Sequence, residues 1–164
     1  MQRIGYQQLE LNPFTVIGRE CFLLTPGTMQ DWSSMTAGWG GLGYVWGAPA
    51  AFIFVHRDRP AFAAMEKHRR FSLSFFPPEM SSVLELFSGD AGSSQEKAAL
   101  AGLTPHPADG AVAFSEANLV LACTKIAETA LDDAAIIDEG IRSLYSQGDW
   151  HRMFIGRIDG VWIS

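Results

Sequence analysis

Alternation of apolar and polar residues is cleanest at Phe71-Ser72-Leu73-Ser74-Phe75. A period of two sets three large apolar side chains on one face and two serines on the other. It predicts a strand whose serines look out of the core. Ala51-Phe52-Ile53-Phe54-Val55 is apolar at every position, the mark of a strand buried on both faces, and it ends abruptly at His56-Arg57-Asp58-Arg59. Earlier in the chain, Val16, Ile17 and Cys21-Phe22-Leu23-Leu24-Thr25 predict a first strand pair interrupted by Gly18-Arg19-Glu20, with Pro26-Gly27 as the stop. Ser33 to Gly43 reads as a further strand, followed by a turn at Gly47-Ala48-Pro49. The segment before Asn12-Pro13 has little periodicity and reads as an arm laid over the domain.

Helical patterns are short. Pro60 suits a first helical turn, and Phe62 and Met65 carry the pattern toward Arg70. Pro77-Pro78-Glu79 opens a second helix through about Phe87, with Val83, Leu84, Leu86 and Phe87 as its apolar side. After the polar, glycine-containing loop from Ser88 to Ser94, a serine cap near Ser94 starts a third helix that Gly102 follows. Strand character returns at Val112-Ala113-Phe114 and, past a turn near Glu116-Ala117-Asn118, from Leu119 to Ile126. The stretch from Asp132 to Tyr145 is acidic at its start and holds a helical turn or two. Asp159-Gly160 between apolar runs predicts a hairpin into Val161-Trp162-Ile163. Many short strands with scattered short helices predict a mainly β fold, an antiparallel β-barrel or sandwich, in which closure removes exposed edges. Strands that do not alternate with long helices disfavour a doubly wound α/β fold.

Composition narrows the function classes. With 164 residues, 48% hydrophobic and 18% charged, the chain suits one globular domain that buries roughly two-thirds of its unfolded surface. A net charge of −6, with only 12 lysines and arginines, argues against a nucleic-acid surface. Cys21 and Cys123 lie far apart without a CxxC partner, so neither a disulfide framework nor a metal site is expected. The residues from Trp32 to Val55 carry no charge, a length that nominally spans a bilayer, but five glycines and Pro49 within it favour two buried strands and a turn. No membrane association is expected. The start, Met1-Gln2-Arg3-Ile4-Gly5, lacks a basic region followed by an apolar run, and a cytoplasmic location is the expectation.

Candidate chemistry centres on Ser33-Ser34-Met35-Thr36-Ala37-Gly38-Trp39-Gly40-Gly41-Leu42-Gly43. Hydroxyls and closely spaced glycines about an indole let main-chain N–H groups approach a flat polar ligand without a Cβ in the way. The indole adds a stacking surface. A bulge or barrel bend accounts for the same glycines without any ligand. No Ser-His-Asp order or carboxylate pair points to a hydrolase.

Three blocks carry a family likeness: Met35-Thr36-Ala37-Gly38-Trp39-Gly40-Gly41, Phe71-Ser72-Leu73-Ser74-Phe75-Phe76 and Gly148-Asp149-Trp150-His151-Arg152-Met153-Phe154-Ile155-Gly156. A lysine near Gly102-Leu103-Thr104-Pro105 accompanies them. From Asn12 to Ile163 the chain resembles the flavin reductase-like, or flavoredoxin-like, proteins of the FMN-binding split-barrel group. The resemblance implies a Greek-key split β-barrel that forms a homodimer, with one FMN per subunit at the interface. It places Ser33, Ser34, Met35, Thr36, Ala37, Gly38 and Trp39 along the flavin ring and ribityl chain. It places Arg59, Ala61 and Lys97 at the phosphate, and His151 near the flavin as the candidate catalytic residue. The Ser88 to Ser94 loop, with Ser88 and Gly89 at its start, has the composition to join Lys97 at that phosphate. Where the family favours asparagine and threonine near the cofactor, this chain has Ser33 and Ala61. The missing hydroxyl at Ala61 removes one phosphate hydrogen bond, of order 1 to 3 kcal/mol if unreplaced.

The expected activity is an FMN-binding oxidoreductase that passes hydride from NADH or NADPH to flavin and on to an acceptor. The alternative is a non-catalytic FMN-binding electron carrier reduced by a partner protein, to which an acidic chain would dock through a basic surface. A split-barrel domain that has lost its flavin and persists as an interaction protein is a third reading. Cys123, inside an apolar strand, reads as an inert buried thiol, and filling of the core or a subunit interface is the alternative reading of Trp39 and Trp150.

Overall fold

A computed structural model describes residues 1–145 and 148–164. In chain order the strands and α-helices are β1 (Gln2–Ile4), β2 (Phe22–Thr28), β3 (Asp31–Trp32), β4 (Met35–Ala37), β5 (Gly40–Val45), β6 (Ala48–Val55), α1 (Ala61–Lys67), β7 (Arg70–Phe75), α2 (Ser81–Ser88), α3 (Ser94–Leu100), β8 (Pro105–Ala108), β9 (Ala111–Phe114), β10 (Leu119–Ala130), α4 (Glu139–Ser143) and β11 (Arg152–Ile163). One antiparallel sheet runs β3-β2-β7-β10-β11-β6-β5, with β4 on β2 and β1 on β11. β8 and β9 form a separate ribbon. The fold is a mainly β split barrel with short helices.

Two apolar layers hold it together. The barrel interior gathers Phe22, Leu24, Ile53, Val55, Phe71, Leu73, Phe75, Leu121 and Phe154, with Phe62 and Met65 of α1 closing one end. A second layer lies on the opposite face of β2, β7 and β10, where Val112, Phe114, Val83, Phe87 and Leu103 cover Leu23, Val120 and Ala122. This layer corrects the reading of β7. Ser72 and Ser74 are fully buried, because the β8–β9 ribbon lies over the face that the alternation assigned to solvent. Ser72 donates to the Val112 carbonyl, whereas the Ser74 hydroxyl has no partner among the described residues.

Other expectations are corrected in the same physical terms. Val16 and Ile17 lie in a wide helical turn, Phe14–Arg19, and not in a strand. Pro26 and Gly27 do not stop β2, which continues to Thr28 and pairs with β3 beyond them. β6 is not buried on both faces: Ile53 and Val55 point into the barrel, while Phe52 and Phe54 are half-buried on the other side. Asp159-Gly160 makes no hairpin, since β11 runs straight through it. Cys123 pairs with Ile158 and Ala122 with Gly160, leaving Asp159 as the extra residue of a bulge. The Asp159 carboxylate there accepts hydrogen bonds from Arg70 at 2.8 Å and Arg157 at 2.7 Å, and from Thr124. The turn between β5 and β6 is a two-residue one at Trp46-Gly47, both with positive φ (50° and 74°), as tight hairpins demand. Burial, and then Asp159, push the Cys123 thiol far above its ordinary range. No helix among the described residues is long and apolar enough to cross a membrane.

Candidate functional site

The barrel is open along one seam. β4 hangs on β2 and β5 on β6, and Gly38-Trp39 carries the chain from one side to the other. That passage needs a glycine, because a Cβ at Gly38 would stand 2.9 Å from the Cys21 sulfur. The Trp39 carbonyl accepts from the Phe54 N–H at 3.2 Å, tying the passage to β6.

A cleft of about 170 Å³ lies at this seam, lined by residues 35–39 together with Phe54, His56, Arg59 and His151. Two sequence blocks far apart in the chain therefore meet in one place. Met35 and Ala37 send their side chains into the barrel core, and the Thr36 hydroxyl donates to the Leu84 carbonyl of α2 at 2.5 Å. Trp39 is 54% exposed and stacks on the His151 ring, with centroids 4.7 Å apart and planes 26° apart.

Ser33 and Ser34 do not line the cleft. The Ser34 hydroxyl is shared with Thr25 at 2.8 Å and its N–H donates to the Ser94 hydroxyl at 2.7 Å. The Ser33 hydroxyl lies 3.5 Å from the same Ser94 oxygen, which places both serines at the start of α3. Its N-cap is Ser93, in a reciprocal box with Glu96.

The predicted cations converge on one loop. Arg59 donates to the Ser88 carbonyl at 2.8 Å and to the Asp90 carboxylate at 3.3 Å. Lys97 is 5% exposed and donates to the Gly89 carbonyl, with its ammonium 5.8 Å from the Phe87 ring centre. No carboxylate pairs with Lys97 among the described residues. Ala61 is fully buried and packs in the barrel core, so its methyl does not reach the loop and only its main chain remains for a ligand.

Three polar residues at the cleft escaped the sequence reading. His56 closes β6 and presents its ring edge to His151, centroids 5.0 Å apart. Its Nε2 lies 3.2 Å from the Asp149 carboxylate. The Tyr145 hydroxyl lies 2.9 Å from His151 Nδ1, and its ring stacks on Trp150 at 4.5 Å. One signal for His56 was legible, since a period of two carried one step past Phe54 puts it on the same face. Burial, and then His56, hold the His151 imidazole below its ordinary range, against a smaller opposing pull from Asp149. Burial and then Asp149 hold the Tyr145 phenol above its own. Among the described residues no group of three His, Cys, Asp or Glu side chains is placed to hold a metal ion.

Comparison with known proteins agrees on the fold. An FMN-binding protein from Thermus thermophilus, solved with bound p-hydroxybenzaldehyde, matches with a TM-score of 0.66 at 17% identity, over 100% of this chain and 82% of that one. The NADH:FAD oxidoreductase SgcE6 of Streptomyces globisporus C-1027, solved with NAD and FAD fragments, matches with a TM-score of 0.65 at 16% identity, over 88% and 74%. A protein of Sinorhizobium meliloti 1021 matches with a TM-score of 0.66 at 14% identity over 88% of this chain, which spans 43% of that protein's length. No curated protein matches the sequence. The family model of the flavin reductase like domain matches residues 44–164, from the end of β5 through β11, and by that match the chain belongs to the flavin reductase-like family.

Proposed function

We propose that this chain is an FMN-dependent oxidoreductase that moves hydride from NADH or NADPH to flavin and on to a second acceptor. The observation that carries the reading is the convergence at one open seam of the main chain of residues 35–39, a ring-stacked histidine and Arg59, whose guanidinium also reaches the loop that holds Lys97. The residues fit the group. Lys97 is a buried cation with a carbonyl and an aromatic face for company but no counter-ion among the described residues, an arrangement that favours an anion close by. Arg59 offers its fork beside the same loop, which suits a phosphate monoester of about −2 charge.

Bound FMN would supply the two-electron chemistry. The chain's own residues then have separate tasks. Main-chain N–H groups of 35–39 that the β2–β4 ladder leaves free would meet the polar edge of the ring, where negative charge grows on reduction, and Trp39 with His151 would form an aromatic wall beside it. Arg59, Lys97, Ser88 and Gly89 hold the phosphate, with Ser33 and Ser34 supporting the start of α3 next to it. Ala61 contributes through its main chain alone. The nicotinamide donor enters from the open side of the seam, as the GxGxxG spacing at residues 38–43 runs into strand β5 and not into the helix that a dinucleotide-binding loop opens. The relatives of this fold include one NADH:FAD oxidoreductase and one FMN-binding protein, which supports both the donor and the flavin.

The site reads as complete only in a homodimer. A cleft of about 170 Å³ in one chain is below the roughly 300 to 1,000 Å³ of small-molecule sites. Trp39 stands exposed at the border of the cleft, and Tyr44 and Trp46 stand exposed at the far end of the β5–β6 hairpin; a second copy seated along this hairpin would cover all three and wall the flavin. A cytoplasmic setting would keep Cys21 and Cys123 as the free thiols observed.

The acidic stretch with Asp132, Asp133, Asp138 and Glu139, which also exposes Ile137 and Leu144, favours a second reading, a flavin carrier reduced by a basic partner protein. One preparation separates the two. Titration with FMN, followed by absorbance and protein fluorescence, tests binding, and NADH or NADPH oxidation with added FMN tests turnover. Sustained turnover supports the enzyme, tight binding without turnover the carrier, and no flavin binding by the dimeric protein refutes both.

A further inference from the structure

Two imidazoles share the cleft, and their surroundings differ. His56 is flanked by carboxylates: Nε2 lies 3.2 Å from Asp149 and Nδ1 lies 3.7 Å from the exposed Asp58. The Asp58 main-chain N–H also donates to Nδ1 at 3.3 Å, which leaves that nitrogen bare and puts the His56 proton on Nε2, toward Asp149. His151 has no carboxylate in hydrogen-bonding reach among the described residues. Its Nδ1 meets the Tyr145 hydroxyl at 2.9 Å, Trp39 covers one face, and the His56 ring stands against it at 70°.

We propose that Tyr145 and His56 are positioning residues that hold His151 as a neutral imidazole with its proton on Nε2, the nitrogen left for a ligand in the cleft. The inference rests on the reading of this cleft as the flavin site. A phenol is a stronger acid than an imidazole N–H, and an imidazole nitrogen a stronger base than a phenol oxygen, so the favoured arrangement is O–H donating to Nδ1. A bond donated to the bare nitrogen favours the neutral ring. His56 adds to this from the other side, because positive charge on its ring, 5.0 Å away, repels a proton on His151, against a smaller opposing pull from Asp149. The remaining charged side chain lining the cleft, Arg59, is a cation and acts in the same sense. His151 then offers a ligand a fixed N–H donor through the neutral pH range.

The test is a histidine ¹⁵N shift titration of the uniformly labelled full chain without flavin, from pH 5 to 8.5, with His151 assigned through His151→Gln. The expected wild-type result is a bare Nδ1 and a protonated Nε2 on His151. Tyr145→Phe should give a mixture of both tautomers and move the titration midpoint of His151 upward. His56→Gln should move the midpoint upward while the tautomer is kept, and it tests the idea even if Tyr145→Phe fails to fold. A wild-type proton on Nδ1, or no change of tautomer or midpoint in either variant, overturns the proposal. Adding FMN to the same samples separates the two levels: absence of binding refutes the flavin site and leaves the state of His151 as measured, whereas binding should perturb Nε2 more than Nδ1.

Discussion

Replacing Lys97 by methionine separates a phosphate-binding lysine from one that only braces a loop. Lys97 is 5% exposed as a residue, and its ammonium donates to the carbonyl of Gly89, an exposed residue that takes water readily once the lysine is gone. A methionine keeps most of the stem against Phe87, giving up a cation–π contact at 5.8 Å of about 0.5 to 1 kcal/mol. Against that loss stands relief from burying a charge without a counter-ion. Stability should therefore change by no more than about 1 kcal/mol, roughly 2 to 4 °C in Tm for a chain of this size. FMN affinity should fall far more, because a hydrogen bond to a charged group contributes about 1.5 to 3 kcal/mol, which is on the order of 10- to 150-fold in Kd. Riboflavin, which lacks the phosphate, is the control. Fluorescence titration of wild type and Lys97→Met with both ligands should show a large loss for FMN and almost none for riboflavin. Equal losses for the two ligands, or an unchanged Kd for FMN, would refute the assignment and return Lys97 to a structural role.

Other consequences are independent of the flavin. Ser72→Ala removes a buried donor from the Val112 carbonyl and should cost about 1 to 2 kcal/mol in denaturant unfolding, while Ser74→Ala removes an unpartnered buried hydroxyl and should be neutral or stabilising by about 1 kcal/mol. Gly156→Ala should destabilise by about 1 to 3 kcal/mol, since its Cβ would fall 2.6 Å from Phe71 Cε1 and 3.1 Å from the Cys123 Cβ; an unchanged denaturation midpoint would show that the Phe71 ring can move aside. Burial works to raise the Asp159 carboxyl, but hydrogen bonds from Thr124 and Arg157 and the charges of Arg157 and Arg70 outweigh it and leave it lowered. The stabilisation is thus complete above the ordinary carboxyl range near about pH 4 and lost as pH falls through the lowered folded-state value, so Asp159→Asn should lower stability at neutral pH and flatten the acid limb of the stability profile. A variant whose acid limb stayed as steep as wild type would show that other carboxylates govern it.

Local patterns foretold the elements better than their surroundings. The alternation at Phe71 to Phe75 identified a strand correctly, yet the destination of Ser72 and Ser74 depended on the β8–β9 ribbon, whose position over β7 is set by contacts some forty residues away in sequence. Asp159-Gly160 carried a turn signal that the long ladders of β11 overrode. Pairing to β10 along one edge, and to β6 and β1 along the other, makes a continuous strand with a bulge more favourable than a hairpin. Capping chemistry is local, and the helix after Ser93 was accordingly legible to within one residue. At the site, residues 35–39, Arg59 and His151 were legible through glycine spacing and family likeness. For His56 only its face was legible, from the period of two past Phe54, and Tyr145 was not legible at all, because each acquires its role only from a ring brought to it by another strand or loop.

The location of the cleft follows from how this barrel fails to close. A closed barrel satisfies every strand edge with another strand, whereas here β4 pairs only with β2 and β5 only with β6 among the described residues. The edges that face each other across Gly38-Trp39 therefore keep main-chain donors and acceptors that no ladder uses, beside the side chains of His56, Arg59 and His151. Water meets that demand at some cost in order, and a planar ligand with a polar rim meets it with fixed geometry. The same break sets the charge pattern around the cleft, since Arg59 follows the end of β6 and Lys97 lies on α3, packed beside the loop that Arg59 also holds. The lysine and the arginine are thus anchored by carbonyls of one loop and not by carboxylates of the core. Lys97 therefore keeps a charge that no carboxylate among the described residues compensates, whereas Arg59 shares part of its own with the exposed Asp90.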